Sequence, residues 1–343
     1  MFSNSAVNLV AEISANHGNS LDSCLSAIEE ASSSGADWVK IQSYLPEELV
    51  PPREDLRVEI PESPWFGRSL LDLYREGATP HDWHSDIFQF ARERDIKIFS
   101  SPFGYKSLEL LESLDCPLYK IASLELCDDW FVREVARTGK PLIVSTGTST
   151  LAEVQRSLDI IKEESATEVA ILKCQTEYPA KAGTLALDDI PWMKKIFVDS
   201  IIGYSDHYSD IWSAIEAIIL GAQIIERHFI SDEIADPLDA EFSSAPSDFL
   251  RIKSFIDYWV ARAEGPDGLG SIFSSLDKQL GRDGRRSLWV RQALPAGHKI
   301  RADDLLSLRP NYGVAVQEVS VFLGQPLNRD IEAYTPLTKD LIS

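Results

Sequence analysis

Three pairs of polar residues stand two positions apart at the ends of short apolar runs. They are Lys40 with Gln42, Ser205 with His207, and Glu226 with His228. Successive residues of a β-strand point to opposite faces, so the two members of each pair share one face. Ammonium, carboxylate and imidazole groups are the groups that bind anions and divalent metal ions. The pattern therefore indicates a chemically active surface built from strand ends.

His207 and His228 close two successive runs of this series. Neighbouring strands lie about 4.8 Å apart, so one divalent ion can contact both imidazoles. Glu226 and Asp206 stand beside them. Two neutral nitrogens with open positions suit Mn²⁺, Mg²⁺, Fe²⁺ or Co²⁺ acting on substrate or water. We predict a metal site here; the alternative is a pair of histidines packed in the core.

Lys40 and Lys120 lie in the second and fourth apolar runs. An unpaired charge inside a protein costs roughly several kcal/mol, so each buried lysine must meet an anion. With nearby Ser and Thr hydroxyls, the two lysines would form a cradle for a phosphate or carboxylate. The alternative is that they form structural ion pairs with Glu12 or Glu125.

Eight apolar, β-branched runs alternate with stretches of helical period between residues 8 and 230. The runs cover 8–15, 37–44, 96–103, 118–123, 141–147, 169–175, 201–207 and 222–229. This alternation is typical of the α/β class, and the count of eight predicts closure into a (β/α)8 TIM barrel. An open doubly wound sheet is the alternative, but no G-x-G-x-x-G follows the first run.

In a (β/α)8 barrel the reacting groups lie at the carboxyl ends of the strands. All eight runs end in polar residues: Glu12, Asn16 and His17; Lys40 and Gln42; Ser100 and Ser101; Lys120, Ser123 and Glu125; Ser145 and Thr146; Lys173, Gln175 and Thr176; Ser205, Asp206 and His207; Glu226 and His228. We expect these side chains to converge on the barrel mouth. The long spacer before the third run predicts a loop or small hairpin, whose Trp65 and Phe66 either cover a ligand or pack against the rim.

Composition changes near residue 262. Residues 1–262 carry the barrel pattern, and 263–283, rich in Gly, Ser and charge, predict a linker. Residues 284–343 combine short strand patterns with tight turns and little helix. A segment of about 60 residues forms only a marginal core by itself, so we expect this second domain to dock on another surface.

The charge balance restricts the partners of the chain. It has 33 Lys and Arg against 54 Asp and Glu, a formal net charge of -21. Such a charge repels nucleic acid and anionic lipid, so we expect neither nucleic acid nor membrane as a partner. No signal-peptide pattern opens the sequence, and the cysteines Cys24, Cys116, Cys127 and Cys174 show no metal-binding spacing. We expect a cytoplasmic protein with reduced thiols.

At these residues the sequence resembles a known family. AEISANHG, KIQSY, SSPF, YKIAS, STGTS, KCQTEYPA, GYSDHY and ERHF occur in the order found in N-acetylneuraminate synthases and their relatives. RRSLWV, ALPAGHKI, LRPNYG and LGQPL are similar to the antifreeze-like (SAF, β-clip) domain that follows the barrel in that family. The segment LLDLYREGATPHDWH, the AEISANH start and the Phe of AEFS resemble pseudaminic acid synthases more than neuraminate synthases.

The resemblance implies an enzyme, a transferase that condenses phosphoenolpyruvate with an open-chain acetamido (deoxy) hexose. The products would be phosphate and a nine-carbon nonulosonic acid of the pseudaminic type, and the cofactor Mn²⁺ or Mg²⁺. His207 and His228 resemble the metal ligands. Lys40, Lys120, Ser123, Ser145 and Ser205 resemble the phosphoenolpyruvate contacts, with Ser101 as a further candidate. Gln42, Glu125, Tyr178 and Asp239 match positions that handle the sugar, and Glu12 and Glu226 are candidate acid–base groups. Arg309 matches an arginine that comes from the partner subunit, which implies a domain-swapped homodimer.

Three segments depart from the family pattern. Where the family usually has GGPD, this sequence has DPLD, at Asp236 to Asp239. Gln175 and Glu177 stand where the family usually has small residues or hydroxyls, and Asn311 stands where it usually has Gly. The resemblance places these positions near the sugar, so alternatives remain open. The chain could act on a neuraminate or legionaminate precursor, or be another barrel aldolase, including one that uses Lys120 as a Schiff base. It could also be a non-catalytic sugar-binding module.

Overall fold

The computed structural model describes residues 7–164, 168–234, 237–264 and 284–342. It divides into two compact units, Met1–Ala263 and Glu264–Ser343. The first unit contains a closed barrel of eight parallel strands in chain order, so the predicted (β/α)8 architecture is confirmed. The strands are β1 Asn8–Glu12, β2 Trp38–Ser43, β3 Ile98–Pro102, β4 Tyr119–Ile121, β5 Leu142–Ser145, β6 Val169–Cys174, β7 Ile201–Asp206 and β8 Ile224–His228.

Helices follow the strands of the barrel. They are α1 Leu21–Ser33, α2 Pro46–Leu49, α3 Leu70–Gly77, α4 His84–Glu93, α5 Tyr105–Ser113, α6 Asp129–Arg137, α7 Leu151–Glu163, α8 Asp189–Ile196, α9 Trp212–Ile219 and α10 Pro246–Glu264. Helix α7 shows why they start where they do. Thr150 accepts a hydrogen bond from the backbone N–H of Glu153, whose side chain binds back to the backbone N–H of Thr150. This capping box satisfies N–H groups that the first turn leaves free.

The long spacer between β2 and β3 crosses the barrel mouth. It holds the short helix α2, an antiparallel bridge between Arg57 and Ser69, and helix α3. Backbone hydrogen bonds from Val58 to Arg68 and from Gly67 to Val58 close this segment into a small hairpin. The predicted loop or hairpin is therefore present, followed by α3 and then α4.

The second unit has its own small core. Strands β9 Ser287–Val290 and β10 Leu305–Leu308 pair antiparallel, and α11 Val319–Phe322 is a single turn of helix. Leu288, Val290, Phe322 and Leu337 are among the ten buried residues that pack together. The predicted linker 263–283 lies, from residue 265 onward, outside the described residues. Among the helices described, none is both long and apolar enough to span a bilayer.

Candidate active site

Strand register brings the predicted catalytic residues into one layer inside the barrel. Glu12 lies beside Lys40 of β2 on one side and beside His228 of β8 on the other. Ser205 of β7 lies beside Glu226. All five side chains are buried. Since residues two apart on a strand share a face, the register explains why groups 200 residues apart in the chain meet.

Four charged side chains form one buried network. Lys40 Nζ lies 2.9 Å from Glu12 Oε2 and 2.8 Å from Glu226 Oε1. Lys120 Nζ donates to the same Glu226 oxygen at 2.8 Å. The alternative of ion pairs is thus observed: Glu12 is a partner as predicted, and Glu226 takes the place of Glu125. Each charge has a counter-charge, which is what allows four of them to be buried together.

Burial and charge act against each other on the pKa values in this network. Burial alone would lower the pKa of Lys40, but the carboxylates of Glu12 and Glu226 outweigh it and raise the pKa above its usual value. Lys120 has one close carboxylate and a neighbouring ammonium, so burial and Lys40 lower its pKa. Burial would raise the pKa of Glu12 and Glu226, and the two lysines lower it. Of the two lysines, Lys120 therefore gives up its proton more easily.

Unpaired polar atoms lie in the same interior. Ser101 Oγ, Ser145 Oγ and Glu226 Oε2 are buried and have no hydrogen-bond partner among the described residues. A buried polar atom without a partner costs about 1–3 kcal/mol, so these two hydroxyls are free to bind water or a polar ligand. Ser205 Oγ, by contrast, donates to Glu226 Oε1 at 3.0 Å. Ser123 is buried against Gly147, whose φ of +44° and lack of Cβ make room for it.

The two histidines face each other, with ring centroids 5.4 Å apart. His207 Nδ1 donates to the backbone oxygen of Gln175 at 2.7 Å, which leaves its Nε2 as the coordinating atom. Burial and the neighbouring His228 lower the pKa of His207 to about 3, so its ring is neutral, as a metal ligand must be. The two predicted histidines therefore lie close together, and His207 is neutral, as a metal ligand must be.

Two carboxylates flank the second histidine. His228 Nε2 lies 3.6 Å from Glu12 Oε2, and its Nδ1 lies 3.5 Å from Asp239 Oδ2. Burial lowers the pKa of His228, but these carboxylates raise it overall. Within the described ranges, no three His, Cys, Asp or Glu side chains are arranged to hold an ion by themselves. The donors fit an ion held by two histidines, with other positions filled by water or substrate.

Aromatic rings line one side of the histidines. The Tyr178 ring lies 4.3 Å from His207, and the Phe242 ring lies 4.9 Å from His228. Trp65, from the hairpin after β2, lies 6.1 Å from Tyr178 and 5.9 Å from Phe242. Phe66 is instead exposed. Of Trp65 and Phe66, only Trp65 therefore faces the histidines and their neighbouring rings.

The residues that the resemblance assigns to the sugar have the following surroundings. Gln42 Nε2 donates to Glu12 Oε1 at 2.9 Å, which ties it to the charged network. Asp239 accepts from the backbone N–H of Ala15 at 3.3 Å. Glu125, in the turn after β4, has a buried Oε2 without a partner among the described residues. Burial raises the pKa of Glu125 to about 7.

Several strand-end residues do not converge on the mouth, contrary to expectation. Lys173 lies 3.0 Å from Asp189 of α8, outside the barrel. Asp206 pairs with the buried Arg227 and accepts from Ser213 at 2.6 Å, so it is not beside the histidines as predicted. The side chains of Ser100 and His17 instead bind backbone oxygens, those of Ile41 at 3.0 Å and Gly77 at 3.4 Å.

The departures from the family pattern have different surroundings. Gln175 Nε2 donates to the backbone oxygen of Thr184, and Glu177 accepts from Thr184 Oγ1 at 2.9 Å. Both side chains therefore stabilise the turn after β6. Asp236 lies outside the described residues. Arg309, in the second unit, is exposed.

Three residues at the site were not selected from the sequence. Cys174 is buried and lies beside Ser205 in the register of β6 and β7. Because residues two apart on a strand share a face, its position two residues after Leu172 indicates that it points into the barrel. Tyr44 continues the step of two from Gln42 and packs 5.9 Å from Tyr74. Phe242, the Phe of AEFS, lies beyond the last strand; the resemblance marks it as typical of pseudaminic acid synthases, but no pattern indicates that it contacts both histidines.

We expect the Glu125→Gln variant to be more stable than the parent protein at pH 8 and equally stable near pH 4. The folded pKa of about 7 exceeds the ordinary value of 4.5, so the folded state holds a proton that the unfolded state loses. The contribution of Glu125 is therefore fully present below pH 4.5 and is lost as the pH rises through 7. The free energies of unfolding measured in urea should differ at pH 8 by roughly 1–3 kcal/mol. An equal difference at both values of pH would contradict this account.

The fold is a closed (β/α)8 barrel with a buried network of lysines and carboxylates inside it, and sequence comparison identifies its family. The profile of the NeuB family matches residues 27–264, and that of the SAF domain matches residues 285–343. The chain therefore belongs to the NeuB family. The family and the barrel with a C-terminal SAF domain, both predicted from the motifs, are confirmed.

Several individual proteins are similar to this chain over most of its length. The chain is 36% identical over 324 residues to the pseudaminic acid synthase of Campylobacter jejuni subsp. jejuni serotype O:23/36 (strain 81-176), across 94% of this chain and 93% of that protein. It is 34% identical to the pseudaminic acid synthase of Helicobacter pylori, across 97% and 96%. The crystal structure of N-acetylneuraminic acid (sialic acid) synthetase from Leptospira borgpetersenii serovar Hardjo-bovis is similar with a TM-score of 0.70 and 25% identity, across 80% of this chain and 90% of that one.

Proposed function

We propose that this chain is a pseudaminic acid-type synthase. It condenses phosphoenolpyruvate with an open-chain acetamido deoxy hexose and releases phosphate and a nonulosonic acid. The observation that carries the proposal is the buried network of Lys40, Lys120, Glu12 and Glu226 beside two unpaired serine hydroxyls. Relatives that share more than a third of their residues with it over nearly the whole chain are named for this reaction.

The chain's own cations and hydroxyls hold phosphoenolpyruvate. Lys40 and Lys120 neutralise the carboxylate and the phosphate, and Ser101 and Ser145 donate to their oxygens. Ser123 and Ser205 complete the polar lining. Because these groups are fixed by the barrel strands before the substrate arrives, they stabilise charge on the departing phosphate with little rearrangement.

The bond changes follow from this placement. Carbon 3 of phosphoenolpyruvate attacks the aldehyde carbon and forms the new C–C bond. Water adds to carbon 2; one of its protons passes through Glu12 or Glu226 to the former aldehyde oxygen. Carbon 2 then expels phosphate by cleavage of the C–O bond, and the remaining hydroxyl proton leaves with the phosphate, so that a ketone is formed. Phosphate leaves from the lysine side of the network.

His207 and His228 would hold Mn²⁺ or Mg²⁺. The bound ion would supply polarisation of the sugar's aldehyde group. Glu12 and Asp239, the two carboxylates beside His228, orient its ring for that role. Gln42, Tyr178, Glu125 and Asp239 line the mouth on the sugar side.

A domain-swapped homodimer is supported by surfaces of each unit. Exposed apolar residues lie on one side of the barrel mouth, at the starts of α5, α6 and α7 and after β4: Tyr105, Trp130, Leu151 and Leu124. Such a patch marks a binding surface for protein. In the SAF unit, Arg309 and Tyr312 are exposed, and the latter packs 6.2 Å from Trp289. We propose that the SAF domain of the partner subunit covers this mouth. We also propose that the dimer acts in the cytoplasm, because phosphoenolpyruvate is made there.

Phosphate release tests this function. Phosphoenolpyruvate and Mn²⁺ are incubated with 2,4-diacetamido-2,4,6-trideoxy-altrose, the corresponding trideoxy-mannose, or N-acetylmannosamine. We expect release with the altrose sugar and its abolition by EDTA. Release with one of the other two sugars would instead indicate a legionaminate or neuraminate synthase. Absence of release with every sugar would contradict the proposal and favour a binding module.

A further inference from the structure

One buried ion pair lies on the outer face of the barrel strands, directly behind the two histidines. Asp206 and Arg227 lie side by side in the register of β7 and β8, and each immediately precedes a histidine along the chain. Their side chains are 0% and 1% exposed. Because successive residues of a strand point to opposite faces, this pair points away from the mouth, whereas His207 and His228 point into it.

Arg227 bonds to both chain neighbours of His207. Its Nη1 donates to Asp206 Oδ2, before the histidine, and its Nη2 donates at 2.8 Å to the backbone oxygen of Tyr208, after it. Nη1 also donates at 3.0 Å to the backbone oxygen of Asp210. A guanidinium group carries five N–H donors in a rigid plane, so one side chain holds several acceptors at fixed separations. The segment that carries His207 is therefore tied to the strand that carries the other histidine.

The same guanidinium group reaches the segment that follows β8. Its Nε donates at 2.8 Å to Ser244 Oγ, and the backbone N–H of Ser244 donates at 2.8 Å to the oxygen of His228. Asp206 also accepts from Ser213 Oγ of α9 at 2.6 Å and from the backbone N–H of Tyr208 at 3.0 Å. All three guanidinium nitrogens and both carboxylate oxygens thus have partners, which is what a buried ion pair requires.

The position of the backbone determines where the ring of His207 lies. Its Nδ1 donates to the backbone oxygen of Gln175 at 2.7 Å, so a shift of the chain at His207 would move the ring relative to that partner. The two histidine rings lie 5.4 Å apart between centroids. The described part of the chain contains no cluster of three or more His, Cys, Asp or Glu that could hold an ion instead. Metal binding therefore depends on the relative placement of these two rings.

We propose that the Asp206–Arg227 ion pair positions His207 relative to His228 and thereby determines the metal affinity of the site. The inference rests on the proposed function, since it takes the two histidines as the metal ligands. Both members are positioning residues, because they act through the backbone on either side of His207 and point away from the mouth. Loss of groups that orient metal ligands typically weakens metal binding by about 10- to 100-fold, and we expect an effect of that size here.

The double variant Asp206→Asn with Arg227→Met tests the proposal. Either substitution alone leaves a buried charge without its partner, which lowers stability and confuses folding with positioning. The double variant buries no charge, and water can reach the oxygens of Tyr208 and Asp210, which lie in a partly exposed segment. We expect it to fold, and we expect its affinity for Mn²⁺ to fall about 10- to 100-fold. Electron paramagnetic resonance measures that affinity without substrate, and urea unfolding measures stability.

Two further variants make the result decisive. Arg227→Lys keeps the charge opposite Asp206, but one nitrogen replaces three, so it should weaken Mn²⁺ binding in the same direction and by less. Asp37→Ala is the stability control. Asp37 accepts from the backbone N–H of Leu9 at 2.8 Å and lies 3.0 Å from Lys253 Nζ, before β2 and at the opposite end of the strands from the histidines. It should lower stability and leave Mn²⁺ affinity unchanged.

Several results would overturn the proposal: Mn²⁺ affinity equal to that of the parent in Arg227→Lys or in the folded double variant, an equal loss of affinity in Asp37→Ala, or no binding of Mn²⁺ by the parent protein. Phosphate release separates this failure from failure of the proposed function. A parent protein that releases phosphate, with variants that bind Mn²⁺ as it does, would retain the function and reject the positioning role. Weakened Mn²⁺ binding in the variants, without phosphate release by the parent from any sugar, would support the positioning role and reject the function.

Discussion

Replacing Lys120 with Met is expected to lower kcat/KM for phosphoenolpyruvate by about 100- to 1,000-fold. Removal of one preorganised donor to a developing charge has an effect of that size. Lys120 donates to Glu226 Oε1 at 2.8 Å inside the barrel, so its loss also weakens the network that holds Lys40. Removing one partner of a buried ion pair costs about 3–5 kcal/mol. Steady-state kinetics and urea unfolding measure the two effects separately.

Lys173→Met is the matched control for this substitution. Lys173 is also a strand lysine, but it pairs with Asp189 outside the barrel, and half of the Asp189 side chain is exposed. An exposed ion pair contributes about 0–1 kcal/mol, so activity and stability should remain near those of the parent protein. Equal losses in the two variants, or Lys120→Met with activity within about threefold of the parent, would contradict the assigned role of Lys120.

The second large effect is expected from His228→Ala, which should lose both Mn²⁺ binding and phosphate release. Chelation by EDTA should abolish the activity of the parent protein, and added Mn²⁺ should restore it. With two histidines as its protein ligands, the ion would lose half of its nitrogen donors in the variant. Electron paramagnetic resonance of Mn²⁺ measures binding in the absence of substrate. We expect affinity to weaken at least about 10- to 100-fold.

His81→Ala is the control for the metal prediction. His81 lies in the turn before α4 and bonds Ser107 Oγ at 3.1 Å, away from the histidine pair. Its replacement should leave Mn²⁺ affinity unchanged. Unchanged Mn²⁺ affinity in His228→Ala, or full activity of the parent protein after removal of divalent ions, would refute this metal site.

The sequence predicts the barrel well because its strands are short, apolar and regularly spaced. Each observed strand from β1 to β8 lies within the run predicted for it. Residues two apart on a strand share a face, and this rule correctly predicts that Glu226 and His228 lie on one face of β8. The pattern does not show which residues of neighbouring strands lie side by side. The register of the strands does, and it places Glu12 beside both Lys40 and His228.

The errors came from treating every polar residue at a strand end as part of the mouth. Lys173 alternates with the inward Leu172 and Cys174, so the step of two already assigns it to the outer face. Asp206 is likewise on the face opposite Ser205, where the buried Arg227 meets it. Arg227, the middle residue of ERH, is a charged residue inside an apolar strand, and this is the signal that predicts such a pair.

Other features depend on long-range contacts that no local pattern contains. Neither spacing nor composition indicates that Trp65 reaches Leu238 across the mouth, or that Glu226 rather than Glu125 is the partner of Lys120. These contacts arise when the barrel closes and brings strands from opposite ends of the chain together. Glu125 instead remains a buried carboxyl without a cation within bonding distance in the described structure.

The most direct test of the central claim uses phosphoenolpyruvate labelled with ¹⁸O at the bridging oxygen. The labelled compound is incubated with the protein, Mn²⁺ and the trideoxy-altrose sugar, and the products are analysed by mass spectrometry. The account predicts a nine-carbon keto acid without the label and phosphate that carries it, because the C–O bond breaks. Unlabelled phosphate, or phosphate released without a nine-carbon product, would contradict the condensation described here.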